Sequence, residues 1–130
     1  MSRKLKWSDV KIGDLSSFEK KIIPSDLKKF AALTGDRNLV HLNLAQARRL
    51  GFKKPIAHGM LLGSFFSALI GNFCPGEKHL YLKQKLFFRS PVYVGETISV
   101  CGRIIAKSDS VKIITMQTLI KRKGRIVVSG

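Results

Sequence analysis

Asp36 and His41 are the residues of this chain whose types first invite chemistry, a carboxylate and an imidazole five positions apart. Such a pair can hold a water molecule and move protons near neutral pH. The spacing decides what must carry them. On a continuous helix five residues leave the two side chains roughly 140° apart, on different faces. Gly35 and Asn38 are turn formers, so a loop is expected over Asp36–Leu42 that can fold both groups toward one point. Spacing alone leaves a second reading open, in which Asp36 caps backbone N–H groups and His41 is a surface or core histidine. Arg37 is a candidate ion-pair partner for Asp36, and Asn38 a candidate Asx turn supporting the loop.

A second feature lies at His58-Gly59, just before the most apolar stretch of the chain. The first N–H groups of a helix have no intrahelical acceptor and carry the positive end of its dipole. A glycine there presents an unshielded N–H, the geometry wanted for a polarised thioester oxygen. Close packing of Gly59 against a strand, with His58 capping the helix, is the competing reading. Ser67, inside the same stretch, either bonds back to a carbonyl one turn earlier or offers its hydroxyl to a pocket.

The elements that must position these groups follow from periodicity. A short strand is expected over Phe18–Ile23, closed by Pro24. A helix opens at Pro24-Ser25-Asp26 and stops at Gly35, and Asn43 caps a second helix over Leu44–Leu50 that ends at Gly51. From His58 to Phe73 the sequence is apolar nearly all round, which predicts a buried helix. Strands then follow: Leu80–Arg89, Thr97–Lys107, Val111–Lys121 and Arg125–Ser129, with hairpin-sized gaps. The only all-apolar helix must cover the sheet, so an α+β architecture is expected, an antiparallel sheet wrapped around a long central helix.

Bulk properties narrow the partners. The chain has 130 residues, about one domain, and a single domain over 1–130 is expected. Met1–Trp7 is basic but no apolar stretch follows it, and Met60–Ile70 is too short to span a bilayer, so a soluble, cytoplasmic protein is expected. Cys74 and Cys101 lack metal-ligand spacing and read as buried thiols; no metal is expected. The net charge of +16 attracts polyanions, whether nucleic acid, an acidic protein or a phosphorylated substrate, although the cations come in ones and twos along the whole chain.

Three motifs carry a resemblance: Phe30-Ala31-Ala32-Leu33-Thr34-Gly35-Asp36-Arg37-Asn38-x-x-His41-Leu42, Pro55-Ile56-Ala57-His58-Gly59-Met60-Leu61 and Ser90-Pro91-Val92-Tyr93-Val94-Gly95-Glu96. They are similar to an (R)-specific enoyl-CoA hydratase of the MaoC-like dehydratase family, over about residues 10–130. The resemblance implies a hot-dog fold, a homodimer with its acyl-thioester site near the subunit interface, and no cofactor. The substrate it implies is an acyl-CoA or acyl-carrier-protein thioester of fatty-acid metabolism. It implies that Asp36 and His41 hold the catalytic water, that Gly59 donates its N–H to the thioester oxygen with His58 beside it, and that Ser67 supports the catalytic residues. Two departures stand out. Leu39 occupies a position where the family usually has Pro, and the last strand is shorter than usual.

Rival classes are weighed by what they lack. Hot-dog thioesterases, and the dehydratases that use a central-helix Glu, need a carboxylate that His58–Phe73 does not contain. A nucleic-acid module predicts a one-sided basic stripe with exposed aromatics. A non-catalytic hot-dog domain rests on Leu39 alone.

Overall fold

Five strands, β1 (Leu15–Lys21), β2 (Phe87–Phe88), β3 (Thr97–Ser108), β4 (Ile113–Arg122) and β5 (Arg125–Ser129), form one antiparallel sheet in the order β1-β3-β4-β5-β2. The computed structural model describes residues 3–130, so Met1 and Ser2 of the basic start lie outside the described residues. Along β3 the buried side chains alternate at Ile98, Val100 and Ile104, so one face of the sheet is apolar and must be covered. The cover is α4 (Gly59–Asn72), whose Leu61, Leu62, Phe66 and Leu69 join Val100, Ile120, Val127 and Val128 in one core. Each of those helix side chains contributes about 1.5–3 kcal/mol by leaving water.

Three short helices precede it: α1 (Pro24–Thr34), α2 (Leu39–Leu42) and α3 (Leu44–Arg49). Pro24 begins α1, where a missing N–H costs nothing, and the Asp26 carboxylate accepts the Ile23 N–H at 3.0 Å. Gly35 ends α1 in the left-handed conformation, φ 83°, with its N–H on the Ala31 carbonyl. Asn43 caps α3 through the Gln46 N–H at 3.0 Å, as its type predicts.

Four expectations are corrected. The strand expected from Phe18 runs over Leu15–Lys21, because β3 offers partners from Thr97 to Arg103. The loop expected over Asp36–Leu42 closes early, because Asn38 starts the helical turn of α2. The central helix is not buried all round: Met60 is 60% exposed, and Ser64 and Ser67 face outward. Of the strand expected over Leu80–Arg89, only Phe87 and Phe88 are paired, to Ser129 and Val128 of β5. The stretch before them has no ladder partner, and alternation of residue types cannot supply one. That stretch lies along α4 instead. A Cβ at Gly59 would meet the Phe88 ring at 3.1 Å, and one at Gly63 would meet Leu86 at 2.7 Å. Glycine therefore lets helix and strand approach closely here.

Candidate active site

The turn after α1 builds the acid side of the site. Thr34 Oγ donates to the Phe30 carbonyl at 2.7 Å and accepts the Asp36 N–H at 3.2 Å. The Asp36 carboxylate accepts the Asn38 N–H, and the Asn38 side chain accepts the Val40 N–H, each at 3.2 Å. Asp36 is exposed. Asn38 thus caps the first turn of α2. Arg37 is exposed and makes no ion pair with Asp36.

The base side depends on a second segment. His41, in α2, donates Nδ1–H to the Ile56 carbonyl at 2.6 Å. That bond places the proton on Nδ1 and leaves Nε2 as the free basic nitrogen. Ile56 is itself held: its N–H reaches the Val40 carbonyl at 3.3 Å, and the next N–H, of Ala57, reaches the Val92 carbonyl at 2.7 Å. Val94 N–H binds the Pro55 carbonyl at 3.1 Å. The strap that supplies Val92 and Val94 is tied by Glu96, which accepts the Tyr93 N–H at 3.0 Å and the Arg122 guanidinium at 3.2 Å; the same guanidinium donates to the Pro91 carbonyl. Thr34, the Ile56 carbonyl and Glu96 were not singled out from the sequence. The contacts from His41 to Ile56 and from Arg122 to Glu96 span 15 and 26 positions, whereas Thr34 acts locally, on Phe30 and Asp36; the only sequence signal for all three is their place inside the quoted motifs.

His58 is not where a substrate-binding group would stand. It is 2% exposed and lies behind His41, the two rings stacked with centroids 3.8 Å apart and planes 26° from parallel. Its Nε2–H donates to the Asp36 carbonyl at 3.1 Å, Phe30 packs against it at 4.8 Å, and it caps no helical N–H. Nδ1 is buried without a hydrogen-bond partner, an omission that costs about 1–3 kcal/mol. Burial pushes this imidazole below its ordinary pKa of 6.5; the bond to Asp36 opposes that shift and the neighbouring His41 reinforces it.

One potential ligand atom from each of Asp36, His41 and His58 lies within 4.8 Å of the others. These three are the side chains among the described residues most nearly placed for a metal. The two rings lie in planes only 26° apart with centroids 3.8 Å from each other, whereas an ion bound by both needs to lie close to the plane of each ring. The arrangement suits proton handling better than ion binding.

Gly59 opens α4 directly after His58, so the N-terminus of a 14-residue helix begins at the imidazole pair. The structure therefore brings Asp36, His41, His58 and Gly59 together. Ser67 is not among them. It is exposed and eight residues further along α4, about 12 Å of axial rise. Ser64 makes the back-bond considered for Ser67, to the Leu61 carbonyl at 2.6 Å. A cavity of about 1320 Å³ lies elsewhere, between the segment around Tyr81–Lys85 and the start of β4, and includes none of the four clustered residues.

Residues 10–124 match the family model described as MaoC like domain. The chain belongs to the MaoC-like dehydratase family. It is 36% identical over 124 residues to an (R)-specific enoyl-CoA hydratase of Rhodospirillum rubrum, covering 95% of this chain and 86% of the relative. The same named enzyme of Aeromonas caviae is 36% identical over 122 residues, covering 93% and 91%. The solved (R)-hydratase of A. caviae, described as involved in PHA biosynthesis, superposes with a TM-score of 0.90 over 93% of this chain and 92% of that one. The fold is accordingly the hot-dog fold of the MaoC-like family.

Within that family the departure at Leu39 falls at the first position of α2, where a backbone N–H has no intrahelical acceptor. Asn38 before it has ψ 125°, a value that a following proline favours. The loop is therefore already shaped as a proline would shape it.

Proposed function

We propose that this MaoC-like protein is a hydro-lyase that reversibly adds water to trans-2-enoyl thioesters, giving (R)-3-hydroxyacyl thioesters. The observation that carries this reading is the meeting of the Asp36 carboxylate and the His41 imidazole at the start of α4. Two curated relatives named as (R)-specific enoyl-CoA hydratases support it.

The chemistry follows from the geometry. The thioester oxygen sits at the Gly59 N–H, where the helix dipole favours the negative charge of an enolate. Water held between Asp36 and His41 attacks C3, forming the C–O bond while the C2–C3 π electrons move toward the thioester. The proton that water loses is taken by the pair, and the pair returns a proton to C2. Asp36 and His41 act as one coupled unit in this exchange. No cofactor is required, because water and the thioester supply every atom.

The anionic carrier, coenzyme A or acyl carrier protein, suits a net charge of +16. A relative named as a mitochondrial 3-hydroxyacyl-[acyl-carrier-protein] dehydratase of Arabidopsis thaliana is 37% identical over 89 residues, which keeps the dehydration direction on a carrier protein as the second reading. We further assign a homodimer. Leu80, Leu82, Phe87 and Phe88 are 81, 67, 57 and 51% exposed along an unpaired sheet edge, a surface that a second copy would cover.

The test is hydration of crotonyl-CoA, followed by loss of enoyl-thioester absorbance. Wild type is expected to turn over, and Asp36→Asn and His41→Ala to lose on the order of 10²–10⁴-fold in kcat with melting temperatures unchanged. Wild-type turnover in both variants would overturn the assignment of the pair.

A further inference from the structure

We infer that His58 is a positioning residue, a permanently neutral imidazole that fixes His41 by stacking and Asp36 by a hydrogen bond to its backbone. The inference rests on the hydration chemistry proposed above and extends it to a residue that touches no substrate.

Three observations carry it. First, one ring contacts both halves of the acid–base pair: its face lies on His41 at 3.8 Å, and its Nε2–H meets the Asp36 carbonyl at 3.1 Å. An aliphatic filler could do neither, and an amide only the second. Second, the bond to a carbonyl dictates the tautomer. Nε2 must carry the proton, so Nδ1 holds a lone pair, and that lone pair is buried without a partner. Evolutionary convenience aside, an apolar ring would avoid that cost, so the position has a use for the donor. Third, the neighbours argue against a charge. The titratable groups facing the ring are His41, stacked on it, and Asp36, which meets it through a backbone carbonyl; Phe30 packs on it as well. A proton on Nδ1 would find no acceptor and would face His41 each time that residue became an imidazolium in the cycle.

His58 thereby serves His41 as a flat, uncharged backing. His41 can gain and lose a proton on Nε2 without its neighbour competing for that proton. The lowered pKa of His58 fits this role. The same shift has a sign in stability. The unfolded imidazole takes up a proton as pH falls through 6.5, while the folded one stays neutral, so this contribution to stability is complete above pH 6.5 and lost below it.

Two variants divide the role. His58→Phe keeps the stacked ring and removes the donor. His58→Gln keeps an N–H near the position of Nε2 and removes the ring. We expect His58→Phe to lower kcat on the order of 10- to 100-fold with KM nearly unchanged, and to leave the acid limb of the pH–rate profile where it is in wild type. We expect His58→Gln to retain more of kcat and to move that limb, because water then reaches His41. A mere filler would move kcat only in step with the melting temperature and would leave both limbs alone. Nitrogen-15 NMR of the wild-type imidazoles supplies a readout independent of turnover and of variant folding: His58 should still be a neutral Nε2–H tautomer as pH falls through 6.5, where an ordinary imidazole takes up a proton. The inference is overturned if His58 takes up a proton at or above the ordinary imidazole value of 6.5, if its proton resides on Nδ1, or if both variants keep wild-type turnover and pH profile. Absence of hydration by wild type would instead sink the proposed function, and the NMR measurement would still decide the state of His58.

Discussion

Two regions flank the start of α4 and contrast in how they are held. On one side, Thr34–His41 and Pro55–Gly59 form a web in which side chain and backbone tie each other: Thr34 to Asp36, Asn38 to Val40, His41 to Ile56, His58 to Asp36. On the other side, the chain between His79 and Leu86 is unpaired in the sheet, with Leu80 and Leu82 exposed to solvent. A large cavity separates it from the start of β4. The first region is complete within one chain. The second leaves large apolar side chains exposed, as the proposed homodimer would require.

The largest expected effect tests the second region. In the homodimer proposed above, replacing both Leu80 and Leu82 with Lys should weaken self-association by about 3–6 kcal/mol, since each buried Leu is worth roughly 1.5–3 kcal/mol. Sedimentation over a concentration series measures it. Unchanged association would place the interface elsewhere and dissolve the contrast drawn above. The next effect tests the first region through its most distant tie. Glu96→Ala removes the acceptor for the Tyr93 N–H and Arg122, and should cost about 1–3 kcal/mol in denaturant unfolding. The hydration rate of the folded fraction should fall as well, because the strap that holds Ile56 loosens. A rate unchanged after correction for unfolding would show that the web is not what orients His41.

The smallest effect has the opposite sign. Leu39→Pro should stabilise the protein by about 0.4–1 kcal/mol, because Asn38 already has ψ 125° and position 39 is the first residue of α2, where proline is favoured. Thermal melts at fixed pH measure it. Destabilisation would mean that α2 depends on the Leu39 side chain, which is 50% exposed.

Local signals reached far along the chain. Pro24, Gly35, Asn43 and Gly51 mark helix ends through rules that act within four residues, and they mark them correctly. The alternation in β3 to β5 placed the sheet for a similar reason, since each strand turns back on its neighbour. What local rules missed is set by distant chain. Leu80–Leu86 alternates like a strand, but pairing requires a neighbour that alternation does not describe. The α4 sequence is apolar on every side, yet Met60 remains exposed because the sheet covers one side only. At the site, the proximity of Asp36 and His41 could be anticipated from a turn between them. The burial of His58 behind His41 could not, because it depends on a fold that brings positions 36 and 58 to 3.1 Å.

The bond from the Ala57 N–H to the Val92 carbonyl has a consequence for hydrogen exchange. Both residues are buried, at 5 and 0% exposure, so this amide meets solvent only when the core opens. Ile56, which orients His41, is the residue immediately before it. Loss of the imidazole geometry is thereby coupled to opening of the core itself, whereas the unpaired amides of Leu80–Leu86 can exchange in small, frequent fluctuations. Exchange is expected to be slow at Ala57 and fast at Leu82, so the chemistry lasts as long as the core does, whatever the exposed edge does.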